Sequence, residues 1–124
     1  MIMLDTHVAV ALYEGRTGGL GLPARRAIDR DVVTISPAVL LEIELLHEIR
    51  RIRVGAKAIA DALADGLSIR VAQDRFADVA VEALSLGFTR DPFDRLIVAH
   101  AAMTKSPLIT QDSLIRFSYR HSMG

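Results

Sequence analysis

The most restrictive feature of this chain is a recurring order of three parts: a short apolar run, a polar capping or turn residue, then a stretch with helical spacing. Ile2-Met3-Leu4 ends at Asp5, and Thr6 stands as the expected N-cap of a helix from His7 to Glu14. Val32-Val33-Thr34-Ile35 is β-branched throughout and ends at Ser36-Pro37, which reads as strand, cap and proline at the first helical position. A helix of about Ala38 to Ile52 follows, with Val39, Leu40, Ile43, Leu46 and Ile49 at helical spacings. Gly55 opens another helical pattern expected to stop at Gly66, before a brief strand over Leu67 to Val71. Asp74 is placed to cap a helix carrying Phe76, Val79, Ala80 and Ala83, with Gly87 closing it. Asp91-Pro92 opens a helix through Ala102, and Pro107-Leu108-Ile109-Thr110 reads as the last strand. The polar tail after Phe117 is expected to be less ordered. Strands that alternate with helices need crossover connections, so they build a parallel sheet covered by helices on both faces, here with about four to five strands.

Length and composition narrow the rest. The chain has 124 residues and 51% hydrophobic residues, enough for one domain with a sizeable core. No cysteine is present, so disulfides, thiolate metal sites and a cysteine nucleophile are excluded. No apolar run approaches the ~20 residues that span a bilayer, and Asp5 interrupts the apolar start. No membrane association is expected, and the expected location is the cytoplasm. Fifteen Lys and Arg balance fifteen Asp and Glu, which argues against a broadly basic binding face, although thirteen of the fifteen cations are arginine. The glycines between Gly15 and Gly21 follow a helix and lack the order of a phosphate-binding loop. The four histidines share no ligand spacing. Arg50, Arg51 and Arg53 sit at a predicted helix end, where they first serve the helix dipole and second offer a phosphate-binding patch.

The chemistry lies in the acids. In an open parallel sheet, ligands bind beyond the carboxyl ends of the strands. Asp5 follows the first strand directly and Asp112 follows the last; the two face each other if those strands are neighbours. Glu42 lies about one and a half turns into the helix after Ser36, near the same edge, whereas Glu44 points away from it. Asp91 falls at an N-cap and Asp94 three residues into the same helix. Each acid also has an ordinary structural role open to it, as cap, turn or solvated helix residue. Together at one edge they repel, and a hard divalent cation with carboxylate and water ligands resolves that repulsion. Such an ion can activate water for in-line attack on a phosphodiester.

In this order the residues resemble the PIN-domain ribonucleases, and within them the VapC-type toxins of toxin–antitoxin pairs. The resemblance rests on Leu4-Asp5-Thr6-His7, on Ser36-Pro37 with Leu41-Glu42-Ile43, on Arg90 to Ala101 with Asp91-Pro92-Phe93-Asp94-Arg95 at its start, and on Leu108-Ile109-Thr110-Gln111-Asp112. It covers residues 1–124 as one PIN-like nuclease domain. It implies that the catalytic acids are Asp5, Glu42, Asp94 and Asp112, with Asp5, Asp94 and Asp112 holding Mg²⁺ or Mn²⁺. Thr6 and Thr110 support the first and last acids, and Asp91 caps its helix and reaches metal through water. The resemblance further implies an RNA substrate, a small VapB-like antitoxin partner and a homodimer. One departure concerns the last acid: many relatives carry another acid just beyond it, where Ser113, Leu114 and Ile115 stand here. Two other classes compete with the nuclease. One is a catalytically inactive PIN-like module that only binds a partner, which would have no need of converging like charges. The other is a receiver-type α/β domain, which requires a lysine ending a late strand, whereas Lys105 precedes one. If four acids serve one metal pocket, 15 − 4 = 11 remain against 15 cations, so neutral net charge is compatible with an RNA substrate.

Overall fold

The computed structural model describes all 124 residues. The elements run β1 (Ile2–Leu4), α1 (Thr6–Tyr13), α2 (Leu22–Arg30), β2 (Val33–Ile35), α3 (Pro37–Glu48), α4 (Ala56–Leu67), β3 (Arg70–Val71), α5 (Phe76–Ala83), α6 (Pro92–Met103), β4 (Leu108–Ile109), α7 (Ser113–Ser118) and β5 (Ser122–Met123). Five strands form one sheet in the order β3-β2-β1-β4-β5, and every pairing is parallel. The helices cover both of its faces.

The strand order fixes where a ligand belongs. From β1 the chain winds outward through β2 to β3, then returns to the other side of β1 for β4 and β5. The direction reverses between β1 and β4, and the crevice beyond the carboxyl ends at such a switch point is where open α/β sheets bind ligands. Leu4 lies beside Ile109 in register, so the residues that leave β1 and β4 emerge together.

The core explains the shortness of the strands. Ile2, Met3, Leu4, Ile35, Leu108 and Ile109 are almost wholly buried, as strands covered on both faces require. Ile43 of α3, Ile59 and Leu63 of α4, and Ile97 and Val98 of α6 pack onto them. A smaller cluster of Val79, Ala83 and Ala99 fastens α5 to α6, where small side chains permit close approach.

Several local expectations are corrected. The N-cap of α1 is Asp5, whose carboxylate accepts from the Thr6 amide at 2.8 Å, so Thr6 is the first helical residue. The helix after Pro37 stops at Glu48, and Arg50 turns the chain in a left-handed conformation (φ 63°). Gly66 lies inside α4, and Ser68 supplies the left-handed residue at its end. The cap of α5 is Arg75 without a side-chain bond, because Asp74 is turned inward to His100, and α5 ends well before Gly87.

The largest correction is the tail. After Phe117 the chain is anchored by Tyr119, which is buried and donates its hydroxyl to the Ser106 carbonyl at 2.7 Å. It then pairs as β5 with β4, with Leu108 and Thr110 amides donating to His121 and Met123 carbonyls at 3.0 and 2.9 Å. This pairing is carried by backbone, which a polar sequence does not advertise. Gly21 meets the same strand: its amide donates to the Gly124 carbonyl, and a Cβ there would lie 2.6 Å from that oxygen.

Candidate active site

At the switch point, the end of β1 and the end of β4 are joined by side chains. Asp5 is only 4% exposed, yet both its oxygens are engaged. One accepts from the Thr6 amide at 2.8 Å and the other from the Thr110 hydroxyl at 2.6 Å. Thr110 is fully buried and its hydroxyl oxygen also accepts from the Asp112 amide at 3.1 Å, so one threonine holds both strand-end acids in place. Asp112 is exposed and caps α7, accepting from the Ile115 amide at 2.9 Å. On the other side, the Thr6 hydroxyl donates to Glu42 of α3. The result is one connected chain of bonds, Glu42–Thr6–Asp5–Thr110–Asp112, drawn from β1, α1, α3, β4 and α7.

Asp94 stands outside that chain. It lies in the first turn of α6, where Asp91 is the N-cap and accepts from the Phe93 and Asp94 amides at 2.8 and 3.1 Å. The Asp94 carboxylate itself accepts no hydrogen bond within the molecule. Burial pushes its pKa up from 3.8 to about 7, and the charges of Asp91, Asp5, Glu42 and Asp112 add to the shift in that order. Glu42 is raised too, by burial first and by Asp5 and Asp91 next, against the lowering effects of the Thr6 bond and of His7. The other four acids expected from the sequence are therefore within electrostatic reach of Asp94. They are not gathered about one point: no three Asp, Glu or His side chains are close enough to cage a metal ion.

The donor set nonetheless suits a hard cation. It consists of carboxylates and hydroxyls, without thiols, the oxygen chemistry that Mg²⁺ and Mn²⁺ take together with water ligands. Glu44 is excluded from it, as its position in the sequence implies, because it accepts from the Ala56 amide at the start of α4.

Three features escaped the sequence reading. Gln111, between Thr110 and Asp112, donates to the Gly19 carbonyl and so ties the glycine loop to the acidic edge. A cleft of about 580 Å³ opens beside that tie, along α1 and the turn after α3. The third is a buried cluster around His100. His100 of α6 is wholly enclosed, with Nδ1 3.1 Å from the Ser36 hydroxyl and Nε2 3.0 Å from the Asp74 carboxylate. The only signal for it was a histidine within an apolar helix face, and nothing local names its partners 64 and 26 residues away.

Comparison with known proteins adds the lineage. Residues 2–117 match the family described as the PIN domain. No curated protein sequence matches the chain. Among solved structures, it is similar to a crystal structure of VapBC2 from Rickettsia felis bound to a DNA fragment from its promoter, at 16% identity and a TM-score of 0.69, covering 99% of this chain and 96% of that one. It is also similar to a toxin–antitoxin complex from Klebsiella pneumoniae, at 17% identity and a TM-score of 0.70, covering 100% and 97% of the two chains. At these identities the likeness is one of fold.

Proposed function

The chain belongs to the PIN-domain family, whose members are generally nucleases, and we propose that it is a divalent-metal-dependent endoribonuclease acting as the VapC-type toxin of a toxin–antitoxin pair. The observation that carries this reading is the state of Asp94, a half-buried carboxylate without a hydrogen-bond donor whose pKa is raised by burial and by four neighbouring acids. A binding or scaffolding module gains nothing from such an arrangement, which weakens the fold unless a cation occupies it.

Asp5, Asp94 and Asp112 would hold Mg²⁺ or Mn²⁺, with Asp91 reaching it through water. When bound, the cation supplies charge neutralisation at the phosphate and a more acidic water nucleophile. Asp5 is fixed by two hydrogen bonds and defines the site's position, since any drift of its carboxylate would break the bond to Thr110. Asp112 is held by the cap of α7. Glu42, oriented by Thr6 and raised in pKa by burial, is suited to take a proton from the attacking water. Thr6 and Thr110 keep these groups in register without reacting.

The remaining expectations follow the same reading. A small VapB-like antitoxin partner would restrain the activity. A homodimer would cover Leu41, Leu45 and Ile49, which stand 55%, 39% and 64% exposed along one side of α3 and just beyond its end. No helix is long and apolar enough to cross a membrane.

The test is cleavage of single-stranded and structured RNA by the purified protein in Mg²⁺ or Mn²⁺. Chelation with EDTA is expected to stop it and restored metal to return it, while Asp94→Asn is expected to stay inactive at any metal concentration. Cleavage that persists in EDTA, or no cleavage of any RNA offered, would sink the proposal.

A further inference from the structure

The cleft beside the acidic edge is built from different chemistry. It starts where the acids end: His7 follows Thr6, Gln111 precedes Asp112, and Leu46 lies one turn beyond Glu42. Its eleven lining residues combine four apolar side chains and two glycines with His7, Glu14, Arg16, Arg51 and Gln111, so it offers apolar surface together with charged and amide groups. Two arginines stand in its wall. Arg16 is spent on an ion pair with Glu14. Arg51 is exposed, and its guanidinium has no ion-pair partner in the chain. Arg51 is also held in place, since it follows the left-handed Arg50 and its amide donates to the Leu46 carbonyl at 2.8 Å.

The cleft continues. A second cavity of about 330 Å³ shares Val10, Glu14, Arg51 and Ile52 with the first, and adds Tyr13 and Arg53. Tyr13 closes α1 with its side chain partly open to solvent. Each space lies at a size that takes one small organic group, roughly 300–1,000 Å³. An aromatic side chain and an unpaired guanidinium lining one cavity are the combination that binds single-stranded nucleic acid, with bases stacked on the ring and phosphates on the cation.

We propose that this cleft is the track for the single-stranded RNA flanking the cleaved bond, with Arg51 contacting a backbone phosphate and Tyr13 stacking a base. The inference rests on the RNA-cleaving reading and names residues that reading does not use. It also gives the charge distribution a purpose: the acidic edge takes the cation, and the adjoining arginine takes the strand that would otherwise be repelled. A protein segment, such as part of an antitoxin, is the competing occupant. Unless acidic, it would leave Arg51 and Arg53, neither of them in an ion pair, without an anionic partner.

The experiment measures binding of a fluorescein-labelled single-stranded oligoribonucleotide of mixed sequence to full-length Asp94→Asn protein in Mg²⁺, across a salt series. Adding Arg51→Ala is expected to weaken binding about fivefold at 0.1 M salt and to reduce the salt slope by about 0.7, the share of one phosphate contact. Arg51→Lys is expected to keep the slope. Tyr13→Leu is expected to weaken binding without changing the slope, because stacking releases no counterions. Arg30→Ala, at the end of α2 and outside both cavities, is expected to match the parent. Thermal melts establish that each variant is folded, with Arg51→Gln replacing any that is not. Unchanged affinity and slope in Arg51→Ala overturn the inference and leave the cleft to a protein partner. An equal loss in Arg30→Ala overturns it in favour of diffuse attraction. Cleavage by the wild-type chain with an Arg51-independent affinity would fail this inference alone. Arg51-dependent binding without cleavage by the wild type would fail the nuclease reading alone.

Discussion

Helix α6 carries two polar residues six positions apart that live under opposite conditions. His100 is wholly buried and fully partnered. The Asp74 carboxylate can only accept, so Nε2 carries the proton, and in the neutral ring Nδ1 then accepts from the Ser36 hydroxyl. Ser36 in turn caps α3 by accepting from the Ala38 amide at 3.2 Å. Both ring nitrogens and the Ser36 hydroxyl have partners, and the cluster joins α6 to the start of α3 and the segment before α5. Asp94, at the other end of the helix, has burial without a partner and is surrounded by like charge. A satisfied buried network stabilises and specifies a fold; a half-buried carboxylate set among other carboxylates weakens it until something else binds. The difference separates what this molecule needs for folding from what it holds ready for chemistry.

The two ends of α6 should therefore respond to mutation in opposite ways. Asp94→Asn removes the charge and keeps the shape. Cleavage is expected to fall at least a thousandfold, about 4 kcal/mol of transition-state stabilisation, because a metal ligand is lost. The melting temperature in EDTA is expected to hold or rise. A variant that loses activity by unfolding would erase the distinction. His100→Ala should do the reverse. It leaves the Ser36 hydroxyl and the Asp74 carboxylate without their partner and opens a hole under the sheet, for a loss of about 3 kcal/mol in urea denaturation. At temperatures where the variant remains folded, its requirement for metal should be that of the parent.

Titration sharpens the contrast. The Asp94 pKa rises from 3.8 to about 7 on folding, so between those values the folded chain holds a proton that the unfolded chain has released. Stability in the absence of metal is expected to fall as pH rises from about 4 to about 7, and to level off above that. Urea midpoints at pH 5 and pH 8 in EDTA would measure the drop. Asp94→Asn should remove most of it, leaving the share of the likewise raised Glu42, and saturating Mg²⁺ should reverse it, since a cation favours the ionised form. An equal slope in the Asn variant would assign the effect to other acids.

How much of this was legible in the sequence depended on whether a feature is local. The helix starts at Ser36 and Asp91 could be read because capping chemistry is decided within three or four residues, whereas at the first helix two adjacent polar residues compete and the cap falls on Asp5 rather than Thr6. The acids could be grouped because alternation implies a parallel sheet, and a parallel sheet places strand ends on one edge. That β1 and β4 are neighbours was a condition in the sequence and is a finding in the fold. Asp74 misled because a good capping residue before an apolar stretch gives no hint that a buried histidine will claim it instead. The tail misled for the complementary reason. β5 is held by backbone bonds and one tyrosine, and polar side chains at its positions carry no strand signal. Arg51 was visible as part of a basic run, but that it lines the cleft and Arg50 does not depends on the turn the chain makes after Glu48.

The smallest effect concerns the residue that belongs to both worlds. Asp91 is a satisfied cap, as His100 is a satisfied core group, and it is also the largest neighbouring charge acting on Asp94. Asp91→Ala removes both roles. Loss of the cap costs about 1 kcal/mol, while relief of repulsion returns part of that at neutral pH. Asp91→Asn separates the two, because asparagine caps a helix as well as aspartate and carries no charge. The Asn variant should therefore be at least as stable as the parent at pH 7 in EDTA. Its pH-dependent loss of stability should shift downward, since Asp94 ionises more readily once its first charged neighbour is gone. The Ala variant should be less stable than the Asn variant at every pH, by about the value of the cap. If the two variants melt together, the cap contributes nothing and Asp91 belongs wholly with the acids. If the Asn variant keeps the parent's pH profile, Asp94 is raised by burial and the other acids, and Asp91 belongs wholly with the fold.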